Sequence, residues 1–145
     1  VKDATNDFVI NSQTFNVSDY DLSWVASTEG AINNALKVLS GQITRFYNRF
    51  FPLNAFIIER GNEKKDKQQE VYIDLGGQHG AYSGMHLTVY SVKTIAGRYA
   101  RKELGKLKIK DVMGDDISLC KVTSGGKNIK AALDEEQTVV AVTTD

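Results

Sequence analysis

The chain has 145 residues, 41% of them hydrophobic and a quarter charged, which is the composition of a folded globular chain rather than a disordered one. Eighteen Lys and Arg balance eighteen Asp and Glu, so no overall field draws the protein to nucleic acid or to an anionic membrane. Cys120 is the only cysteine, which excludes an internal disulfide and a thiolate zinc site, and no apolar run approaches the roughly 20 residues that cross a bilayer. The chain starts at Val1 without a methionine or a signal-like segment, and we expect a mature or excised fragment of a longer protein.

Near the N-terminus Phe15 and Val17, then Tyr20, Leu22 and Trp24, recur every second residue. That period predicts two short strands with a bend at Ser18 and Asp19. Ser27 or Thr28 can cap a helix, with Glu29 near the positive end of its dipole. Ile32, Leu36, Leu39, Ile43, Phe46 and Phe50 then follow in steps of four and three, widened by Ala35 and Tyr47, which is one face of an α-helix. Pro52 ends it, because proline pushes the residue before it out of the helical region. Such a stripe has to dock on something; packing on its own domain is the default for a stripe of this width, and a seam between subunits is the alternative.

Residues 53–60 read as a strand, with Phe56, Ile57 and Ile58 expected to be buried on both faces. Residues 61–69 are a polar hairpin tip, too hydrophilic to pack. Residues 70–92 are the organising stretch, strand, glycine loop and strand. Val71, Ile73 and Leu75, and later Leu87, Val89 and Ser91, keep the period of two, and Gly76, Gly77, Gly80 and Gly84 supply the turns between them. Residues 93–102, with Gly97, Arg98, Arg101 and Lys102, suggest an exposed excursion. Leu104, Leu107, Ile109 and Val112 form a strand with Lys106, Lys108 and Lys110 outward, and residues 114–116 turn it back. Residues 117–122 alternate again, 124–127 turn, 129–133 make a brief helical bridge, and 138–143 close the set. Five or six short strands joined by tight turns predict an α+β chain: an amphipathic helix leading into a small antiparallel SH3-like β-barrel. The expected division is 1–52, possible end of a preceding domain, and 53–145, the barrel.

The order of these features resembles a known family. Phe51-Pro52-Leu53, then Val71-Tyr72-Ile73-Asp74-Leu75-Gly76, Gly80, Gly84-Met85 and Val89-Tyr90 come first. Leu104-Gly105-Lys106-Leu107-Lys108-Ile109, Asp111-Val112, Ser118-Leu119-Cys120-Lys121-Val122 and Ile129 follow. This is similar to the C-terminal domain of flagellar assembly protein T and to the barrels that follow CsgG-like or TolB N-terminal-like domains in bacterial envelope lipoproteins. The resemblance spans roughly residues 30–143, and departs at Ala131-Ala132-Leu133, where a glycine often stands, and in the insertion at 94–103. It implies a non-catalytic assembly protein of the periplasm or the inner leaflet of the outer membrane in a Gram-negative bacterium. Its partners would be other envelope proteins or copies of itself, and any membrane attachment would come from an N-terminal lipid anchor outside this chain.

Several chemical constellations compete with that expectation. His79, Ser83 and His86, with Asp74 to orient an imidazole, would suit a small hydrolase, but no strand-to-helix nucleophile elbow is present. His-x6-His is not a recurrent metal spacing. The glycine loop matches neither the dinucleotide fingerprint nor the P-loop, and a strand rather than a helix follows it. Asp115-Asp116 and Glu135-Glu136 are adjacent acids that diverge, and Cys120 reads as an inert thiol. No catalytic residue, cofactor or metal is therefore assigned. The alternative binding function is a nucleic-acid module using the Lys106, Lys108 and Lys110 face, with Arg98, Arg101 and Lys102 beside it and Tyr72, Tyr82, Tyr90 and Tyr99 to stack.

Overall fold

A computed structural model describes residues 11–18 and 27–144. The chain divides after Phe51 into two compact units, each described by itself.

In the first unit, α1 runs Thr28–Phe50. Ser27 is its N-cap in extended conformation, and its hydroxyl accepts the Gly30 N–H at 3.1 Å, which satisfies one of the free donors of the first turn. Glu29 in the first turn and Arg49 in the last complement the dipole. Before the helix, residues 11–18 are irregular rather than the strand expected at Phe15 and Val17. Their backbone is tied instead by side chains: the Gln42 amide donates to the Asn16 carbonyl at 2.8 Å, and the Phe15 ring meets Phe46 edge-on at 5.7 Å. The second strand expected, at Tyr20, Leu22 and Trp24, lies outside the described residues.

In the second unit the strands are β1 (Asn54–Arg60), β2 (Glu63–Lys64), β3 (Lys67–Gln68), β4 (Glu70–Ile73), β5 (His86–Ile95), β6 (Arg98–Val112), β7 (Ser118–Ser124) and β8 (Thr138–Thr144). Helix α2 (Gly126–Asp134) lies between β7 and β8. Six strands close into an antiparallel barrel in the order β1-β4-β7-β6-β5-β8, and β2 with β3 forms a separate hairpin. Closure removes the open edges that invite aggregation. The fold class predicted from sequence is thus present, a helix leading into a small barrel compatible with SH3-like and OB-like architectures.

Alternating residues of the barrel strands fill the interior: Val71, Ile73, Leu87, Val89, Leu107, Ile109, Cys120, Val139 and Ala141 are all buried, joined by Leu75 and Met85 from the two ends of the glycine loop. Ile129 and Ala132 of α2 join the same core, so the helix plugs one end of the barrel. A salt-bridge chain fastens its far side, with Arg60 of β1 on Asp134 and Lys130 reaching both Asp134 and Glu63 of β2. Two close backbone approaches require glycine. A Cβ on Gly125, which has φ +73°, would lie 1.9 Å from the Leu104 carbonyl oxygen, and one on Gly105 would lie 2.2 Å from that of Ser124. The N-terminus of α2 is thereby pressed onto β6 where β6 bulges against β7, between Lys106 and Leu107.

Two expectations fail here. Strand β1 is not buried on both faces: Ala55 is buried and Ile57 half-buried, while Phe56 and Ile58 are each 51% exposed. A barrel strand has an outside, and alternation puts these two on it. The polar hairpin tip does pack at one point, since Gln68 is 1% exposed. Its amide nitrogen donates to the Glu70 carbonyl at 2.8 Å, with Gly61 at 3.3 Å, which ties the base of the hairpin to β4. Residues 93–102 are exposed throughout, as expected. They continue β5 and β6 as a regular ribbon that turns at Ala96 (φ +49°) and Gly97 (φ +75°).

Candidate functional site

The glycine loop is a closed corner. Gly77 N–H donates to the Gly114 carbonyl at 3.0 Å and Gln78 N–H to that of Asp115 at 3.0 Å, so backbone donors that a phosphate would need are spent on the β6–β7 turn. A Cβ on Gly76 would meet the Asp115 and Asp116 backbone at 2.3–2.4 Å. Gly80 (φ +81°) and Gly84 (φ +98°) occupy left-handed backbone, and Gly77 has room for a side chain.

Of the would-be catalytic groups, Ser83 and Asp74 are engaged with backbone groups of neighbouring strands. Ser83 Oγ donates to the Lys110 carbonyl at 3.0 Å, which pins the loop to β6. His79 is exposed and its Nδ1 faces the Gly76 N–H at 3.4 Å, while exposed His86 lies in β5 opposite Lys108 and Thr144. Asp74 accepts the Phe56 N–H and returns its own N–H to the Phe56 carbonyl, extending the β1–β4 ladder by one reciprocal pair. Among the described residues, no three His, Cys, Asp or Glu side chains come together as a metal site. Cys120 is fully buried, and burial pushes its thiol up to about 12.

The lysine face is only partly free. Lys110 donates to Glu70 at 2.8 Å, which raises its pKa and holds the Glu70 carboxyl below its ordinary value. Lys106 and Lys108 are exposed, and the register sets Lys108 between His86 on β5 and Lys121 on β7. That row gathers two lysines side by side, with Glu70 on β4 next in line.

On α1 the apolar stripe is largely uncovered. Ile32 is 55% exposed and Leu36 58%, and Ile43, Tyr47 and Phe50 are also exposed, with Leu39 half-buried. Phe46 differs: it is buried among Phe15, Tyr47, Phe50 and Phe51, whose ring centroids lie 5.1–6.4 Å away, and offers no contact surface of its own. The helix, about 34 Å long at 1.5 Å per residue, therefore carries an exposed hydrophobic strip anchored at one end by an aromatic cluster.

One feature escaped the sequence reading altogether. Between the β5–β6 ribbon and α2 lies a groove of about 470 Å³, with Lys93, Ile95 and Lys102 on the ribbon side and Ala131, Ala132 and Glu135 on the helix side. The alternation of Lys93 and Ile95, followed by the turn-forming Ala96-Gly97, was the signal for a continuing hairpin; the facing helix has no local signal because it arrives from 30 residues later. Compared with known proteins, the chain matches no family model, and no curated protein matches it by sequence.

Proposed function

We propose that this chain is a non-enzymatic protein-interaction domain of a bacterial cell-envelope assembly component, periplasmic or attached to the outer membrane. The observation that carries the interaction role is the strip on α1: five large hydrophobic side chains, Ile32, Leu36, Ile43, Tyr47 and Phe50, stand exposed along one face of the helix. Exposed apolar surface in one contiguous strip marks a contact face more often than a solvated one. The closed barrel is the kind of rigid, edge-free body that carries such a face without polymerising through its strands. The envelope setting draws on the sequence resemblance to the C-terminal domain of flagellar assembly protein T and to the barrels of CsgG-like and TolB N-terminal-like lipoproteins.

Light scattering coupled to size exclusion over a concentration series, followed by photocrosslinking from position 36 in the native cell, tests this reading. Self-assembly or one discrete adduct, lost when Ile43→Lys is added, is expected. A strict monomer that yields no adduct overturns it. The competing nucleic-acid reading has Lys106, Lys108 and Lys121 in its favour, a basic row without an intervening acid on β6 and β7. It requires oligonucleotide binding that weakens steeply with salt.

A further inference from the structure

We propose that the β5–β6 ribbon is a docking arm for an anionic lipid surface, through which the barrel itself touches a membrane. Strand β8 pairs with β5 only as far as Val92 opposite Thr138, and β7 pairs with β6 only from Lys106 onward. Beyond these points the two strands have only each other, from Lys93 opposite Ala100 to Ile95 opposite Arg98. At about 3.3 Å per residue the ribbon stands roughly 10 Å past the last β8 pairing, comparable to the ~5–10 Å that interfacial elements sink into the headgroup boundary.

Each face of the tip carries one large exposed apolar side chain. Ile95 is 62% exposed and Tyr99 is 83% exposed, higher than any other large hydrophobic residue of the described chain. The pairing register puts Ile95 with Lys93, Arg98, Ala100 and Lys102 on one face, and Tyr99 with Thr94 and Arg101 on the other. Lys93, Arg98, Arg101 and Lys102 are all exposed, and among the described residues none is held in an ion pair. Arg101 lies over the Tyr90 ring at 5.5 Å, which leaves its guanidinium charge available. Against these four cations residues 93–103 contain a single acid, Glu103, and the groove behind the ribbon adds Glu135. In a chain of zero net charge this is a local concentration of positive charge.

The layering selects the partner. An aliphatic residue and a tyrosine lead, around the Ala96-Gly97 turn, and long basic side chains follow them. Tyrosine is at home at the headgroup level, and lysine and arginine reach back from an apolar neighbourhood to phosphate. A duplex or a single strand offers nothing to Ile95, whereas an acyl boundary does. Each basic residue held near an anionic surface contributes a roughly five-fold factor in partitioning.

The test is co-sedimentation of the chain with vesicles of phosphatidylcholine alone and of phosphatidylcholine mixed with phosphatidylglycerol, at low and at physiological salt. Binding to the mixed vesicles only is expected, weakened by salt. Arg98→Gln should lower the partition coefficient about five-fold, whereas Lys65→Gln, which removes the same charge from the β2–β3 hairpin, should leave it unchanged. Ile95→Ser combined with Tyr99→Ser should weaken binding at both salt concentrations, with the far-UV circular dichroism of the barrel retained. Absence of wild-type binding to the mixed vesicles at low salt overturns the proposal, as does equal binding to both vesicle types. An oligonucleotide that binds more tightly than the mixed vesicles, with the same loss in Arg98→Gln, also overturns it in favour of a nucleic-acid arm.

Discussion

Two glycines of the same loop separate steric from conformational demands. Gly76 has φ −128° and ψ −165°, an extended conformation that alanine adopts freely, yet its Cβ would lie 2.3 Å from the Asp116 nitrogen. Restoring a contact of about 3.0 Å moves the two backbones apart by roughly 0.7 Å. That displacement strains the paired hydrogen bonds from Gly77 to Gly114 and from Gln78 to Asp115, each with a net value of about 0.5–1.5 kcal/mol. Overpacking adds about 1–3 kcal/mol, offset by about 0.4–1 kcal/mol from the stiffer unfolded chain. Gly76→Ala should therefore destabilise the barrel by about 2–4 kcal/mol. Gly80 has φ +81° and open space around its Cα, so Gly80→Ala should cost only the left-handed penalty, about 1 kcal/mol. Urea unfolding of both variants followed by circular dichroism measures the difference. If Gly80→Ala is the more damaging, or Gly76→Ala stays within about 0.5 kcal/mol of the parent, the tight approach of the loop to the β6–β7 turn is wrong.

Ile129 is fully buried at the barrel end, so Ile129→Ala should cost about 2–5 kcal/mol and speed amide exchange in α2 before the strands; equal exchange in both would show that the helix is not held by this side chain. Cys120, buried and with its thiol at about 12, should resist a thiol reagent at about pH 8 in the native protein and react fully in urea; rapid native labelling would contradict its position in the core. Asp134 is held below its ordinary 3.8 by hydrogen bonds from Arg60 and then Lys130. A carboxyl with a depressed folded-state value stabilises above its unfolded value, and that contribution disappears as the pH falls through the folded one. The stability difference between the parent and Asp134→Asn should thus be present at neutral pH, begin to shrink as the pH falls to about 3.8 and vanish only below the lower folded-state value, and molar salt should shrink it because the group is exposed. A difference independent of both pH and salt would assign Asp134 some other role.

Much of the barrel was legible because its signals are local. The period of two in Val71, Ile73 and Leu75 and in Leu87, Val89 and Ser91 places alternate side chains on one face whatever they pair with, and all six are buried. Ser27 before a stripe ending at Pro52 marks both ends of α1 through capping and backbone chemistry that need no tertiary partner. The candidate contact strip on that helix was legible for the same reason. Its interruption at Phe46 was not, because the cluster that buries this ring takes in Phe15, 31 residues away, besides the local Tyr47, Phe50 and Phe51.

The sequence by itself determined the alternating cores of the barrel strands at 71–75, 87–91, 104–112 and 117–122, how α1 begins and ends, and that Cys120 has no partner for a disulfide. Only the tertiary structure decided which strand lies beside which, since the order β1-β4-β7-β6-β5-β8 joins β1 to β8 across the whole module. It decided that Phe56 and Ile58 face outward, that Gln68 is buried beneath a hairpin of lysines, and that the ribbon outruns both neighbouring strands. Each of these depends on where a distant segment stops or packs. Local periodicity reports the faces of a strand, and the identity and length of its neighbours are set by chain closure.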